Sequence, residues 1–283
     1  MDTQNLFKYR SVTACMRAAF DLMRNQFKSL LKATWMGFLV YSVFMAATIY
    51  LRMPNKFLHD WGAENPLMSF ILQTLVYAMG MIGSLWATGL LWGWLNKKKL
   101  IRNIAYSLLS EVIVGISAAI VILLGVATAI YLPIYIGILV SFVLAIFLLP
   151  LVYVNMRMVL VEDKEKLGLW KAYKMGFRHW GGLFKTGFIG LLVILVVMTI
   201  LSVPAMILTG AQALSQLGAL DGDPLGTPVY FTPLFIVILT LITFIYAYVS
   251  SWLTISFAYL YGSYETQEKE KKQLAAEEAP NNK

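Results

Sequence analysis

Long apolar runs alternate along the chain with short polar segments that are mostly basic. Six runs approach or exceed the 20 or so residues that a helix needs to cross a bilayer core about 30 Å thick. They cover about 33–51, 67–95, 112–131, 133–154, 183–208 and 233–260. Only Tyr131-Leu132-Pro133 separates the third from the fourth. A proline disfavours helical backbone in the residue before it, and the joined run is about twice a single span, so a tight helical hairpin is expected there. The pattern therefore predicts an all-α polytopic membrane bundle of about six transmembrane helices. It occupies residues 33–260, between an amino-terminal segment (1–32) and a polar tail (261–283).

Two segments carry a different period. Val12, Met16, Ala19, Phe20, Met23, Phe27 and Leu30 recur at helical spacing, with Arg10, Arg17, Asp21, Arg24 and Lys28 on the other side. Over 166–182 the stripe returns as Leu169, Trp170, Tyr173, Phe177 and Trp180, opposed by Lys171, Lys174 and Arg178. Basic amphipathic helices of this kind lie in the headgroup plane, where Lys and Arg meet anionic lipid. The two segments also align: Met16-Arg17-Ala18 over Trp170-Lys171-Ala172, and Met23-Arg24-Asn25 over Phe177-Arg178-His179. With one residue dropped, Phe27, Leu30, Leu31 and Lys32 fall over Trp180, Leu183, Phe184 and Lys185. Both feed into a span from the same side. That implies a parallel internal repeat, four spans and then two, whereas an inverted transporter repeat places its second copy on the opposite side.

Composition agrees. Apolar residues make up 59% and charged residues 13% of the 283, where a soluble domain carries roughly 25% charged. Disorder, collagen, coiled coil and a disulfide scaffold are excluded, the last because Cys15 is the single cysteine. The net charge of +8 is not a nucleic-acid footprint, because it is sorted by membrane side. Lys8, Arg10, Arg17, Arg24, Lys28 and Lys32 precede the first span; Lys97, Lys98, Lys99 and Arg102 follow the second. Arg157, Lys164, Lys166, Lys171, Lys174, Arg178 and Lys185 lie between the fourth and fifth, and Lys269, Lys271, Lys272 and Lys283 in the tail. These are 21 of the 23 Lys and Arg, leaving only Arg52 and Lys56 on the far side. Such asymmetry places both termini in the cytoplasm and the chain in the cytoplasmic (inner) membrane. The first 32 residues lack the short apolar core of a secretory leader. The far-side loops, about 52–66 and 209–232, are too short for a domain, and Asp221-Gly222-Asp223-Pro224 reads as a turn.

Ionisable groups inside spans mark function by default, and the one candidate is Glu111, after Leu108-Leu109-Ser110. It sits either about 10 Å into a helix entering near Ile104 or in the first turn of a span that follows a surface segment over 100–110. The second placement, at the positive end of the helix dipole, is preferred. Gly83-xxx-Ala87, Gly89-xxx-Gly93, Gly115-xxx-Ala119 and Gly125-xxx-Ala129 let helix backbones approach closely, within the bundle or in a homodimer. The last span carries Thr240, Thr243, Ser250 and Thr254 near one face. That face either lines a substrate path or, as is commoner, bonds back to its own carbonyls. Pro150 and Pro204 are expected to bend their spans. No metal-ligand spacing, nucleophile–base pair, phosphate-binding glycine loop or paired carboxylate is present, so no cofactor is expected.

The paired segments Arg17-Ala18-Ala19-Phe20 to Lys32 and Lys171-Ala172-Tyr173 to Lys185 give the chain a resemblance. It resembles bacterial multipass inner-membrane proteins that include the membrane domain found beside some glycerophosphodiester phosphodiesterases. The resemblance implies a helical membrane domain and carries over no catalytic residue, since the phosphodiesterase activity belongs to a separate soluble domain. The chain is also similar to sequences named as carotenoid-cleaving oxygenases, but those hold iron with four histidines and this chain has His59 and His179 alone.

The expectation is a non-enzymatic multipass protein: a scaffold, an accessory subunit or a lipid-organising protein. Its partners are the bilayer, anionic headgroups at the cytoplasmic face, and either a second copy or another protein, with Arg17, Arg24, Lys171 and Arg178 as contact residues. The alternative is a transporter or permease for a small or amphipathic molecule, built on Glu111, Thr243, Ser250 and Thr254.

Overall fold

A computed structural model describes residues 6–52, 65–131, 133–161, 168–220, 228 and 230–278. Every regular element among them is an α-helix: α1 (Val12–Asn25), α2 (Phe27–Arg52), α3 (Pro66–Asn96), α4 (Leu100–Tyr131), α5 (Ile134–Ile146), α6 (Pro150–Leu160), α7 (Leu169–Arg178), α8 (Trp180–Leu220) and α9 (Phe231–Glu278). Five, namely α2, α3, α4, α8 and α9, are long and apolar enough to cross a membrane, and α5 is a shorter apolar helix. Asp221, Asp223, His59, Lys56, Lys164, Lys166 and Lys283 lie outside the described residues.

Several boundaries differ from the sequence pattern, each for a local reason. The amino-terminal helix ends at Asn25 instead of reaching 32, because Gln26 leaves helical backbone (φ −116°, ψ 23°). Phe27 to Lys32 open α2. Helix α4 starts at Leu100 and runs unbroken for 32 residues, so the segment 100–110 and the apolar run from 112 form one helix. The run 133–154 is cut in two. Pro150 supplies no N–H and stands at the start of α6, and the junction is stitched by i→i−3 bonds such as Leu149 N–H to Ile146 O (3.3 Å). Aromatic donors cover the carbonyls exposed there. Trp180 Nε1–H donates to Ile146 O at 3.2 Å and Tyr173 O–H to Phe147 O at 2.9 Å. Helix α7 ends at Arg178, leaving Trp180 to α8. Helix α8 continues through Pro204 to Leu220, where a loop was expected from Thr209; Ala, Leu and Gln dominate 211–220, and all are good helix formers.

The chain divides into two compact units. The first comprises 1–29, 91–190 and 252–283. In it Gly176 of α7 lies so close to α6 that an added Cβ would stand 2.8 Å from Pro150 O and 2.9 Å from Tyr153 Cβ. Lys97 takes a left-handed backbone (φ 57°) to close α3, and its N–H reaches Gly93 O at 3.0 Å. The next residues cap α6. Lys98 Nζ donates to Leu160 O and Val161 O (3.1 and 3.2 Å), Arg102 to Val161 O (3.1 Å) and Asn96 Nδ2 to Val159 O (3.2 Å). Two cations of the Lys97–Arg102 cluster thus satisfy the negative end of a helix.

The second unit comprises 30–90 and 191–251. Its core gathers Ala46, Ala205, Phe231, Phe235 and Leu239. The small-residue spacing of α3 serves packing against α2, as expected. A Cβ on Gly83 would sit 3.0 Å from Tyr41 Cα, and Ala87 is buried. Phe38 and Thr34 of α2 receive Tyr248 of α9, by ring contact (4.8 Å) and hydroxyl contact (3.2 Å) respectively.

Candidate functional site

Of the hydroxyls predicted near one face of the last helix, Thr240, Thr243 and Ser250 donate to the carbonyls of Ile236, Leu239 and Ala247 at 2.8, 2.8 and 3.0 Å. Thr254 is half-buried on the same helix. Glu111 lies eleven residues past the start of α4, about 16 Å along it. Arg17 and Arg24 are exposed on α1.

Chemistry instead concentrates in the first unit, where α6, α7 and the carboxyl-terminal part of α9 meet. The segment read as a polar tail is helical and buried at its start: Tyr261, Ser263 and Glu265 are each less than a tenth exposed. Periodicity puts Tyr261, Glu265, Glu268 and Lys272 at successive three- and four-residue steps of α9, hence on one face. Tyr153 and Arg157 are likewise one turn apart on α6, which begins where Pro150 starts it. Arg157 Nη1 contacts Glu265 Oε1 at 2.6 Å; Tyr153 and Tyr261 hydroxyls donate to the same oxygen at 2.8 and 3.0 Å. One carboxylate oxygen thus collects a guanidinium and two phenols, and both charges are nine-tenths buried. Pairing with this many donors is what makes a buried charge tolerable.

One turn further along α9, Glu268 takes Arg178 at 3.3 Å and stands 3.5 Å from His179 Nε2. The latter pair lacks hydrogen-bond alignment, and both atoms are buried. His179 stacks on Tyr264 at 4.0 Å. Burial lowers the His179 pKa below its ordinary 6.5, an effect that Glu268 opposes. Beside these groups lies a cavity of about 270 Å³ lined by Arg157, Lys171, Met175, Glu265, Glu268, Lys269 and Lys272. Of the residues singled out in the sequence, Lys171 and Arg178 belong to this region. Arg157, Glu265, Glu268, Tyr153 and Tyr261 were missed. The available signal was the YxxxR spacing of Tyr153 and Arg157 just after a proline, which places a phenol and a guanidinium on one helical face. Among the described residues no group of three His, Cys, Asp or Glu side chains is placed to hold a metal ion.

The chain matches no family model, no curated protein and no solved structure. Its class follows from its own helices: with five long and apolar enough to cross a bilayer, it is a multipass membrane protein.

Proposed function

We propose that this chain is a non-enzymatic protein of the cytoplasmic membrane that organises anionic lipid at the inner face, with both termini in the cytoplasm. One observation carries the reading: two short helices with exposed basic side chains each join a long apolar helix through a single-residue break of nearly the same geometry. Gln26 has φ −116° and ψ 23°, and His179 has φ −103° and ψ 19°. Arg17, Arg24, Lys171, Lys174 and Arg178 are exposed beside exposed Phe20 and Trp170. In this reading α1 and α7 are interfacial helices, basic toward headgroups and aromatic toward acyl chains. Helix α5, 13 residues and about 20 Å long, continues through its stitched junction into α6 as the fourth of six crossings. That returns the basic segment 157–185 to the same side as the termini. The paired sequence segments that carry the resemblance to the membrane domain beside some glycerophosphodiester phosphodiesterases, Arg17 to Lys32 and Lys171 to Lys185, contain these two breaks.

The test is extraction of the full chain into lipid nanodiscs with mass spectrometry of what copurifies. Enrichment of anionic phospholipid over the surrounding membrane, lost in an R17Q/R24Q/K174Q variant, is the expected result. Lipid composition equal to bulk would overturn it. The rival reading, a permease, is favoured by Glu111 lying well inside an apolar helix. A Glu111→Gln substitution that abolishes proton-coupled uptake into vesicles would establish it.

A further inference from the structure

We propose that the cavity bounded by α6, α7 and α9 is a binding site for a phosphomonoester, the ligand's phosphate seated between Arg157 and the three lysines. Arg157 forms the floor, held in place by Glu265, which Tyr153 and Tyr261 fix in turn. Lys171 of α7 and Lys269 and Lys272 of α9 form the exposed rim, and Met175 the apolar wall.

The charges on the lining do not balance. Four cations (Arg157, Lys171, Lys269, Lys272) meet two carboxylates (Glu265, Glu268), a formal excess of +2. Both carboxylates are already engaged, Glu265 by Arg157 and the tyrosines, Glu268 by Arg178. Among the described residues no carboxylate oxygen lies within ion-pair distance of the three lysine ammoniums. Like charges converging on one cavity repel each other, and an anion bound among them removes that cost. A phosphomonoester carries about −1.5 to −2 at neutral pH, which matches the excess; a carboxylate or a phosphodiester, with one charge, leaves half of it. The volume, about 270 Å³, admits a phosphate together with part of the group it esterifies. The phosphate of a phosphatidate-like lipid and that of a soluble phosphomonoester offer the same chemistry. The lipid source rests on the lipid-organising reading above, whereas the soluble source does not.

The full chain in detergent is titrated separately with short-chain phosphatidate, short-chain phosphatidylcholine and inorganic phosphate, and native mass spectrometry counts bound species. One saturable phosphatidate per chain and no phosphatidylcholine is the expected result. A lysine near an anionic headgroup is worth about fivefold in affinity, so K171Q/K269Q/K272Q should weaken binding by about 100-fold and K171Q/K272Q by about 30-fold. The milder double variant guards against a folding defect in the triple. Lys99→Gln, an exposed lysine outside the cavity lining, should bind phosphatidate as the parent chain does. Inorganic phosphate that binds with the same lysine dependence and displaces phosphatidate supports the site and assigns it a soluble ligand. Binding of neither phosphatidate nor inorganic phosphate, or a triple variant that binds as tightly as the parent chain, overturns the proposal.

Discussion

Replacing Glu265 by glutamine keeps the shape of the side chain and removes the carboxylate that Arg157, less than a tenth exposed, contacts at 2.6 Å. Both tyrosine hydroxyls can still donate to the amide oxygen, so the loss isolates the 2.6 Å ion contact. Removing one partner of a buried pair costs about 3–5 kcal/mol, most of it the desolvation of the charge left behind. For chains of this size each kcal/mol moves the melting midpoint by about 2–4 °C. Glu265→Gln should therefore lower Tm by about 6–20 °C, read by intrinsic tryptophan fluorescence of the detergent-solubilised chain. Arg157→Met should cost a similar amount, since it strands the carboxylate. The R157M/E265Q double removes both charges and should be less destabilised than the sum of the singles, with a coupling of about 2–3 kcal/mol. A Glu265→Gln chain melting within a degree or two of the parent, or a double variant losing the sum of the singles, would refute the idea that these two charges depend on each other.

Other outcomes follow from the same geometry. Gly83→Val drives a side chain into Tyr41, whose Cα already lies 3.0 Å from the Cβ position, and should cost about 1–3 kcal/mol. Gly115→Val, where nothing stands within 4 Å, should stay within about 0.5 kcal/mol of the parent in the same melting assay. His179 has a folded pKa below its unfolded value. The unfolded chain therefore binds the extra proton first, and stability falls as pH drops through about 6.5 toward the lowered pKa. His179→Gln should flatten that limb of the Tm–pH curve, and an unchanged slope would clear this histidine of the effect. Cys15 is fully buried, and burial pushes its thiol up to about 11. Maleimide labelling at neutral pH should therefore run at least about 100-fold slower than on a free thiol, and reach completion only after denaturation.

Apolar run length and period decided much of the architecture before any coordinates. The bilayer imposes a minimum helix length and forbids unpaired backbone, which is why the positions of α2, α3 and α9 are legible from composition alone. Gly83 and Ala87 were readable for the same reason: small residues one turn apart have few other uses within lipid. Helix ends were less legible. Nothing in the residue type marks Gln26 and His179 as breaks, and helix-forming residues carried α8 past Thr209 and α9 past Leu260. The cluster around Arg157 and Glu265 was beyond the sequence altogether, because the two residues lie 108 positions apart. A basic residue near a span also reads as a topology signal whichever way its side chain turns. Local periodicity can put Tyr153 with Arg157 on one face and Tyr261 with Glu265 on another. Only packing, with Gly176 admitting α7 against α6 and α9 closing the third side, brings those faces together and leaves a cavity with more positive than negative charge.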